Sequence, residues 1–213
     1  MLKQQGKLSD GFISLELGCG SALPSMATII SLGGSHAIAT DSETLPLKML
    51  REAVGKSYHK KLTTDIYDLR QVQNPSMLST RLSSAYTSHR TPSIVPDMKV
   101  DCCIASDLLY TKDIAEKLAW FLAEKYIDSK GNCHLIVTSP SEGRQGKDYF
   151  VKKFTENIIS SDTEQYADFD AFFEECLVPE WMNDDCVDGF DGCKIESIGV
   201  LRYGLQIRTV GQH

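Results

Sequence analysis

The segment LELGCGSALPS, residues 15–25, combines an acid with two glycines one residue apart. Because glycine lacks a side chain, a turn at Gly18 and Gly20 lets a ligand approach the backbone, and a helix that begins after the turn presents unpaired N–H groups. Glu16 precedes the turn inside an apolar run, where an unpaired carboxylate would be costly to bury. The segment is either an ordinary strand-to-helix turn or a site for a cationic or hydroxylated ligand.

A second acid, Asp41, closes the apolar run HAIATD about twenty residues further on. A carboxylate there can accept hydrogen bonds from the two hydroxyls of a ribose, or it can cap the next helix. Both NAD and S-adenosylmethionine carry a ribose. The dinucleotide fingerprint, however, requires glycine where this chain has Leu23, followed by Pro24. S-adenosylmethionine has no phosphate and carries a positive sulfonium, so nearby acids suit it better.

Alternating strands and helices must position these residues. Apolar runs predict strands over residues 12–17, 36–41, 61–69, 100–105 and 133–139, and helical periodicity predicts helices over 23–32, 43–61, 112–126 and 146–159. Two β-rich runs within residues 193–210 predict antiparallel closing strands. The order predicts a Rossmann-like, doubly wound and mostly parallel sheet in a three-layer α/β/α arrangement.

Two segments depart from this alternation within a single domain that spans residues 1–213. Residues 71–97 are rich in Ser, Thr and Pro and show no period, which predicts a flexible insertion. Residues 160–191 are rich in Asp and Glu, which predicts an irregular acidic insertion or a helical cap.

Composition bounds the classes of function. A net charge of −7 offers no footprint for nucleic acid, and the longest apolar runs are too short to span a membrane. The seven cysteines form no CxxC pair and the histidines show no metal spacing, so we expect reduced thiols and no metal. The segment SEGRQGKD lacks the glycine spacing of a Walker A loop. We expect a soluble monomer of the cytoplasm, with the nucleus as an alternative.

Three segments together carry a family resemblance: LELGCGSALPSMA, IATDSETLPLKMLREAV and DCCIASDLLYTKDIAEKLAWFLAEKY. They resemble the class I, seven-strand S-adenosylmethionine-dependent methyltransferases of the protein-lysine methyltransferase group, whose strand four ends in D-x-x-Y. In this chain that motif is Asp107-Leu108-Leu109-Tyr110. The match runs from about Leu15 to Tyr126, and it implies S-adenosylmethionine as cofactor and S-adenosylhomocysteine as its product.

The resemblance also implies roles for individual residues. The side chains nearest the reacting groups would be Asp107 and Tyr110; in the alternative interpretation, Asp107 caps the next helix and Tyr110 packs against it. The methionine end of the cofactor would contact Glu16, Gly18, Cys19 and Gly20, the ribose Asp41, and the rest of the cofactor Asp65, Ile66 and Ser106. Relatives commonly carry tryptophan where this chain has Ile66.

The implied activity is methylation of a lysine side chain on a protein. Histidine, a protein N-terminus or a small amine such as nicotinamide are alternative acceptors, and an NAD(P)-dependent oxidoreductase or a catalytically silent binding module are alternative classes. Relatives place a further strand, a helix and a substrate-facing segment before the glycine motif, whereas seventeen residues precede Gly18 here. We therefore expect a truncated chain or one without that lid.

Overall fold

The computed structural model describes residues 8–54, 58–71, 95, 98–140, 144–161, 169–175 and 201–209. The strands are β1 Ile13–Leu17, β2 His36–Asp41, β3 Leu62–Ile66, β4 Cys102–Ser106, β5 His134–Pro140, β6 Phe169–Glu175 and β7 Leu201–Thr209. The helices are α1 Leu23–Ile30, α2 Thr44–Ala53, α3 Lys112–Asp128 and α4 Lys147–Ile159, with 3-10 turns at His59–Lys61 and Leu69–Gln71.

The described strands form one sheet in the order β3-β2-β1-β4-β5-β7-β6. Strands β1 to β5 run parallel, and β7 runs antiparallel to both β5 and β6. This topology confirms the predicted Rossmann-like, mostly parallel sheet with an antiparallel closing strand. The chain moves outward from β1 to β3 and then returns to place β4 on the other side of β1. A ligand site is expected at such a reversal, beyond the carboxyl ends of the strands.

The two faces of the sheet carry different side chains because residues alternate along each strand. In β1, Leu15 and Leu17 belong to the large buried cluster that α3 and α4 complete, for example through Leu118 and Phe150. Ser14 points to the opposite face, where its Oγ lies 2.9 Å from Thr28 Oγ1 of α1. Because both faces are covered, the central strands β1 and β4 are buried along nearly their whole length.

The paired cysteines of β4 follow the same alternation. Cys103 lies in the cluster on the α3 and α4 side, whereas Cys102 packs with Leu8 and Phe12 on the other side. The prediction that one thiol faces each side of the strand is confirmed. Both side chains fill the core, which accounts for these cysteines without a catalytic role.

Strand β6 corrects the interpretation of the acidic segment. Residues 160–191 predict an irregular insertion or a helical cap, yet Phe169–Glu175 form an edge strand paired with β7. The reason is a two-residue period hidden by the acidic composition: Phe169 and Ala171 are buried, while Asp170 and Glu174 are exposed. Of the two predicted closing runs, Leu201–Thr209 forms β7, and the run before it lies outside the described residues.

The predicted insertion over residues 71–97 also lies outside the described residues, except Gln71 and the buried Val95. Among the helices that the structure describes, none is both long and apolar enough to cross a membrane.

Candidate functional site at the carboxyl edge of the sheet

The glycine turn after β1 has the left-handed backbone that its sequence requires. Gly18 has φ of 60° and Gly20 has φ of 47°, and Ala22, the residue before α1, also has a positive φ of 53°. The Leu108 side chain lies so close to Gly18 that a β-carbon there would overlap its Cδ2 atom. The first residues after β4 therefore pack directly on the turn after β1.

Glu16 connects this turn to helix α1. The carboxylate is buried, and its Oε2 accepts hydrogen bonds from the Ser25 backbone N–H at 2.9 Å and from the Ser25 hydroxyl. Ala22 offers no side-chain cap, so Glu16 satisfies an N–H group of the first helical turn from outside the helix. Burial raises the pKa of the Glu16 carboxyl above its usual value, and the hydrogen bonds from Ser25 oppose that shift only in part.

Asp41, at the end of β2, holds the glycine turn from the other side. Its Oδ2 accepts a hydrogen bond from the Gly20 N–H at 3.0 Å, and its Oδ1 accepts one from the Glu43 N–H at 2.9 Å. The carboxylate thus orders the residues before α2 and is fixed beside the glycine turn, but it does not cap the helix, because the N-cap residue is Glu43 and no side chain caps it. Ile66 is the partner of Asp41 in the β2–β3 register.

Cys19 belongs to the turn through its backbone, and its buried thiol lies 3.9 Å from the Gly20 carbonyl oxygen. Its N–H donates to the Thr40 carbonyl at 2.7 Å, while its thiol packs among Ala39, Leu47 and Leu50 beneath α2. Burial, together with the nearby carboxylates, raises the pKa of the thiol to about 12. This side chain is an unreactive part of the core.

Two predicted cofactor contacts lie on β3. Asp65 is half-buried, and Ile66, the last residue of the strand, exposes 37% of its surface. Exposed apolar side chains also begin the helices at this edge, namely Leu23 in α1 and Leu45 in α2. Ile66 therefore offers an exposed apolar side chain at the end of β3, next to the strand that ends in Asp41.

The D-x-x-Y segment follows β4. Ser106 places its hydroxyl 2.8 Å from that of Thr138 on β5. Asp107 has a left-handed backbone, with φ of 55°, which is uncommon outside glycine and occurs often at functional sites. Thr111 caps α3 by accepting from the Ile114 N–H at 3.3 Å, so the alternative role of Asp107 as that cap is wrong.

Asp107 pairs with a residue that the sequence analysis missed. Arg144 Nε donates to Oδ1 at 2.6 Å and Nη2 donates to Oδ2 at 2.7 Å, a bidentate geometry in which both side chains are partly exposed. The same guanidinium lies over the Tyr110 ring, with Cζ 4.3 Å from the ring centroid. Tyr110 itself is 51% exposed. Asp107, Tyr110 and Arg144 thus form one unit.

A signal for Arg144 exists in the sequence, but it is not a motif. The residue follows β5, and β5 is the parallel neighbour of β4, so the ends of both strands meet at one edge. A basic residue after one strand and an acid after its neighbour are therefore candidates for a pair. Within the described ranges, no group of three or more His, Cys, Asp or Glu side chains is arranged to hold a metal ion.

Comparisons with known proteins identify the fold. No protein-family model matches the chain, and no curated protein matches it in sequence. A solved S-adenosylmethionine-dependent methyltransferase from Mesorhizobium loti is similar over 96% of this chain and 94% of its own, with 14% identity and a TM-score of 0.51. The methyltransferase domain of bacterial CtHen1-CN is similar over 98% and 93%, with 10% identity and a TM-score of 0.50. At these identities the likeness concerns the fold alone, a Rossmann-like sheet that this chain shares with both methyltransferases.

Proposed function

We propose that this protein is an S-adenosylmethionine-dependent methyltransferase that acts on an amine, most specifically on a lysine side chain of a protein substrate. The observation that carries the proposal is the arrangement of three carboxylates, those of Glu16, Asp41 and Asp107, at the carboxyl ends of the neighbouring strands β1, β2 and β4 around a glycine turn. The fold shared with the two solved methyltransferases supports it.

The residues at this edge fit S-adenosylmethionine chemically. Gly18 gives the turn its left-handed backbone, and Gly20, with nothing within 4 Å of the position of a β-carbon, leaves the backbone bare where a ligand's amino-acid part would lie. Glu16 adds negative charge for the ligand's ammonium or sulfonium. The Asp41 carboxylate, already oriented by two N–H groups, retains lone pairs for a ribose diol. For the adenine we assign the apolar face of Ile66, with Asp65 as a flanking contact, and we assign Ser106 as a further cofactor contact at the end of β4.

The same geometry disfavours the dinucleotide alternative. A pyrophosphate binds where the N–H groups at a helix N-terminus are free. Here the Ser25 N–H is taken by Glu16, whose carboxylate at that position would repel a phosphate when ionised. Leu23 moreover projects a side chain that is 71% exposed where the fingerprint requires glycine.

In the proposed reaction the bound cofactor supplies an electrophilic methyl group. The acceptor nitrogen must approach as a free amine, in line with the bond that breaks. Asp107 accepts a hydrogen bond from the amine N–H and so orients its lone pair, and the exposed Tyr110 ring forms a wall of the channel through which the side chain enters. After transfer, the nitrogen releases its extra proton to solvent.

Lysine on a protein is the acceptor that the D-x-x-Y resemblance supports. A cationic substrate also suits a protein of net charge −7. Small amines such as nicotinamide remain the alternative acceptor class, and a silent binding module is the alternative without catalysis.

Calorimetric titration with S-adenosylmethionine and with NADH tests the proposal. We expect binding of the first ligand only, weakened at least about tenfold in Asp41→Ala and unchanged in Asp113→Ala, a control on the exposed side of α3. Binding of NADH alone would establish the oxidoreductase alternative, and binding of neither would establish the silent module.

A second experiment identifies the acceptor. The protein is incubated with methyl-labelled S-adenosylmethionine and a lysate of its own cells, and the labelled product is identified by mass spectrometry. Label on a protein lysine supports the finer proposal. Label found only in the small-molecule fraction would identify a small amine, rather than a protein lysine, as the acceptor.

A further inference from the structure

Asp107 and Tyr110 together have the composition of a binding site for an organic cation. A carboxylate provides the charge-assisted hydrogen bond, and the face of an aromatic ring attracts a positive group that lies over it. In this structure a residue of the chain itself occupies both groups, because the Arg144 guanidinium contacts the Asp107 carboxylate and covers the Tyr110 ring.

We infer that Arg144 is an internal competitor for the substrate's amine: its guanidinium fills the cation subsite formed by Asp107 and Tyr110, and a substrate amine binds there only by displacing it. The inference rests on the proposed function in that it takes this subsite as the place of the acceptor. Beyond the proposed function, Arg144 sets how strongly the site discriminates among amines.

The backbone around Arg144 holds it near the subsite. Gly146, two residues later, donates its N–H to the Leu109 carbonyl at 3.2 Å, within the D-x-x-Y segment. A β-carbon on Gly146 would lie 2.8 Å from the Leu109 carbonyl oxygen and 2.9 Å from that of Thr111. The start of α4 is therefore pressed against the segment that carries Asp107 and Tyr110.

The contacts also explain why displacement is feasible. Arg144 is held by two hydrogen bonds at its forked end, but its side chain and that of Asp107 are 26% and 33% exposed. Water competes for partly exposed ion pairs, which limits the free energy that each contributes. The planar guanidinium matches a carboxylate better than a single ammonium does, so a simple amine binds weakly while Arg144 is in place.

Titration with n-butylammonium, a lysine side-chain analogue, tests the inference without cofactor or turnover. Binding is followed by the NMR shift of the Tyr110 ring in the wild type, Arg144→Met, the double variant Arg144→Met/Asp107→Asn, and Arg70→Met. The last is a matched control because Arg70 forms a surface ion pair with Asp68 elsewhere in the fold. We expect Arg144→Met to bind at least about fivefold more tightly than the wild type, and the double variant to lose the gain.

Equal affinity in the wild type and Arg144→Met would overturn the inference, as would a gain that persists in the double variant or an equal gain in Arg70→Met. Should Arg144→Met fail to fold, Arg144→Gln is measured in its place with the same outcomes, since the glutamine side chain is polar but carries no positive charge. The proposed function is judged separately, by the S-adenosylmethionine titration. If the protein binds no S-adenosylmethionine while Arg144→Met still binds n-butylammonium more tightly than the wild type, that result would support the cation subsite and refute only the methyltransferase assignment.

Discussion

Glu16 and Ser25 are joined by two hydrogen bonds that both end on the same carboxylate oxygen, Oε2. Through them, strand β1 supports the first turn of helix α1, where Ala22 supplies no side-chain cap. The buried acid that the sequence assigns to a ligand therefore has a structural role as well. It connects the glycine turn to the elements on both sides of it.

The stability of the protein should depend on pH through Glu16. Its pKa is raised above the usual value of 4.5 by burial, so the folded state binds the proton more tightly than the unfolded state does. The contribution of Glu16 to the free energy of unfolding is therefore largest below the unfolded-state pKa. It is lost as pH rises through the raised folded-state pKa. Relative to Glu16→Gln, which does not ionise, the wild type should therefore lose free energy of unfolding as pH increases.

Urea unfolding of both proteins between about pH 4 and about pH 8 measures this difference. The control Glu52→Gln, on the exposed side of α2, should follow the wild type across the range. A wild-type advantage over Glu16→Gln that grows with pH would contradict the role assigned to burial.

Replacing Gly18 by alanine should destabilise the fold more than the same change at Gly20. Both glycines have positive φ, which costs an alanine about 1 kcal/mol. Only at Gly18 does the new β-carbon also overlap a neighbour, the Leu108 side chain, since nothing lies within 4 Å at Gly20. A double-mutant cycle with Leu108→Ala should recover the excess cost of Gly18→Ala, and a cycle with no coupling would refute the contact.

Gly146→Ala should also destabilise the protein, by roughly 1–3 kcal/mol, because its β-carbon would press on carbonyl oxygens and on Ala115 rather than on a movable side chain. Thermal unfolding measures the loss. The change should also shift the Arg144 side-chain NMR signals, since it displaces the start of α4 from the D-x-x-Y segment. Unaltered stability would show that this junction is looser than described.

Tyr110→Ala should lower the methylation rate more than it lowers the affinity for S-adenosylmethionine, because the ring is exposed beside Asp107. Single-turnover kinetics and calorimetry provide the two quantities. Tyr110→Phe keeps the aromatic wall and should retain most of the rate. If Tyr110→Ala weakened both quantities equally, Tyr110 would belong to the cofactor site instead.

Much of the fold follows from local patterns in the sequence. The apolar runs at Ile13–Leu17, His36–Asp41 and Cys102–Ser106 predict buried strands because both faces of a parallel sheet are covered. The turn after β1 is predictable because Gly18 and Gly20 adopt backbone angles that other residues avoid. Strand β6 escaped prediction because the acidic composition of its surroundings conceals a short two-residue period.

The partners of the site residues were decided by the tertiary structure. Asp107 and Arg144 are 37 residues apart, and they meet because β4 and β5 are neighbours that end at the same edge of the sheet. The Cys19 thiol is buried because helix α2 packs over it, and it lies 3.9 Å from the Gly20 carbonyl oxygen of the turn. A sequence period reports which face of an element is buried, whereas the atom that a side chain finally contacts depends on strand register and on how distant elements pack.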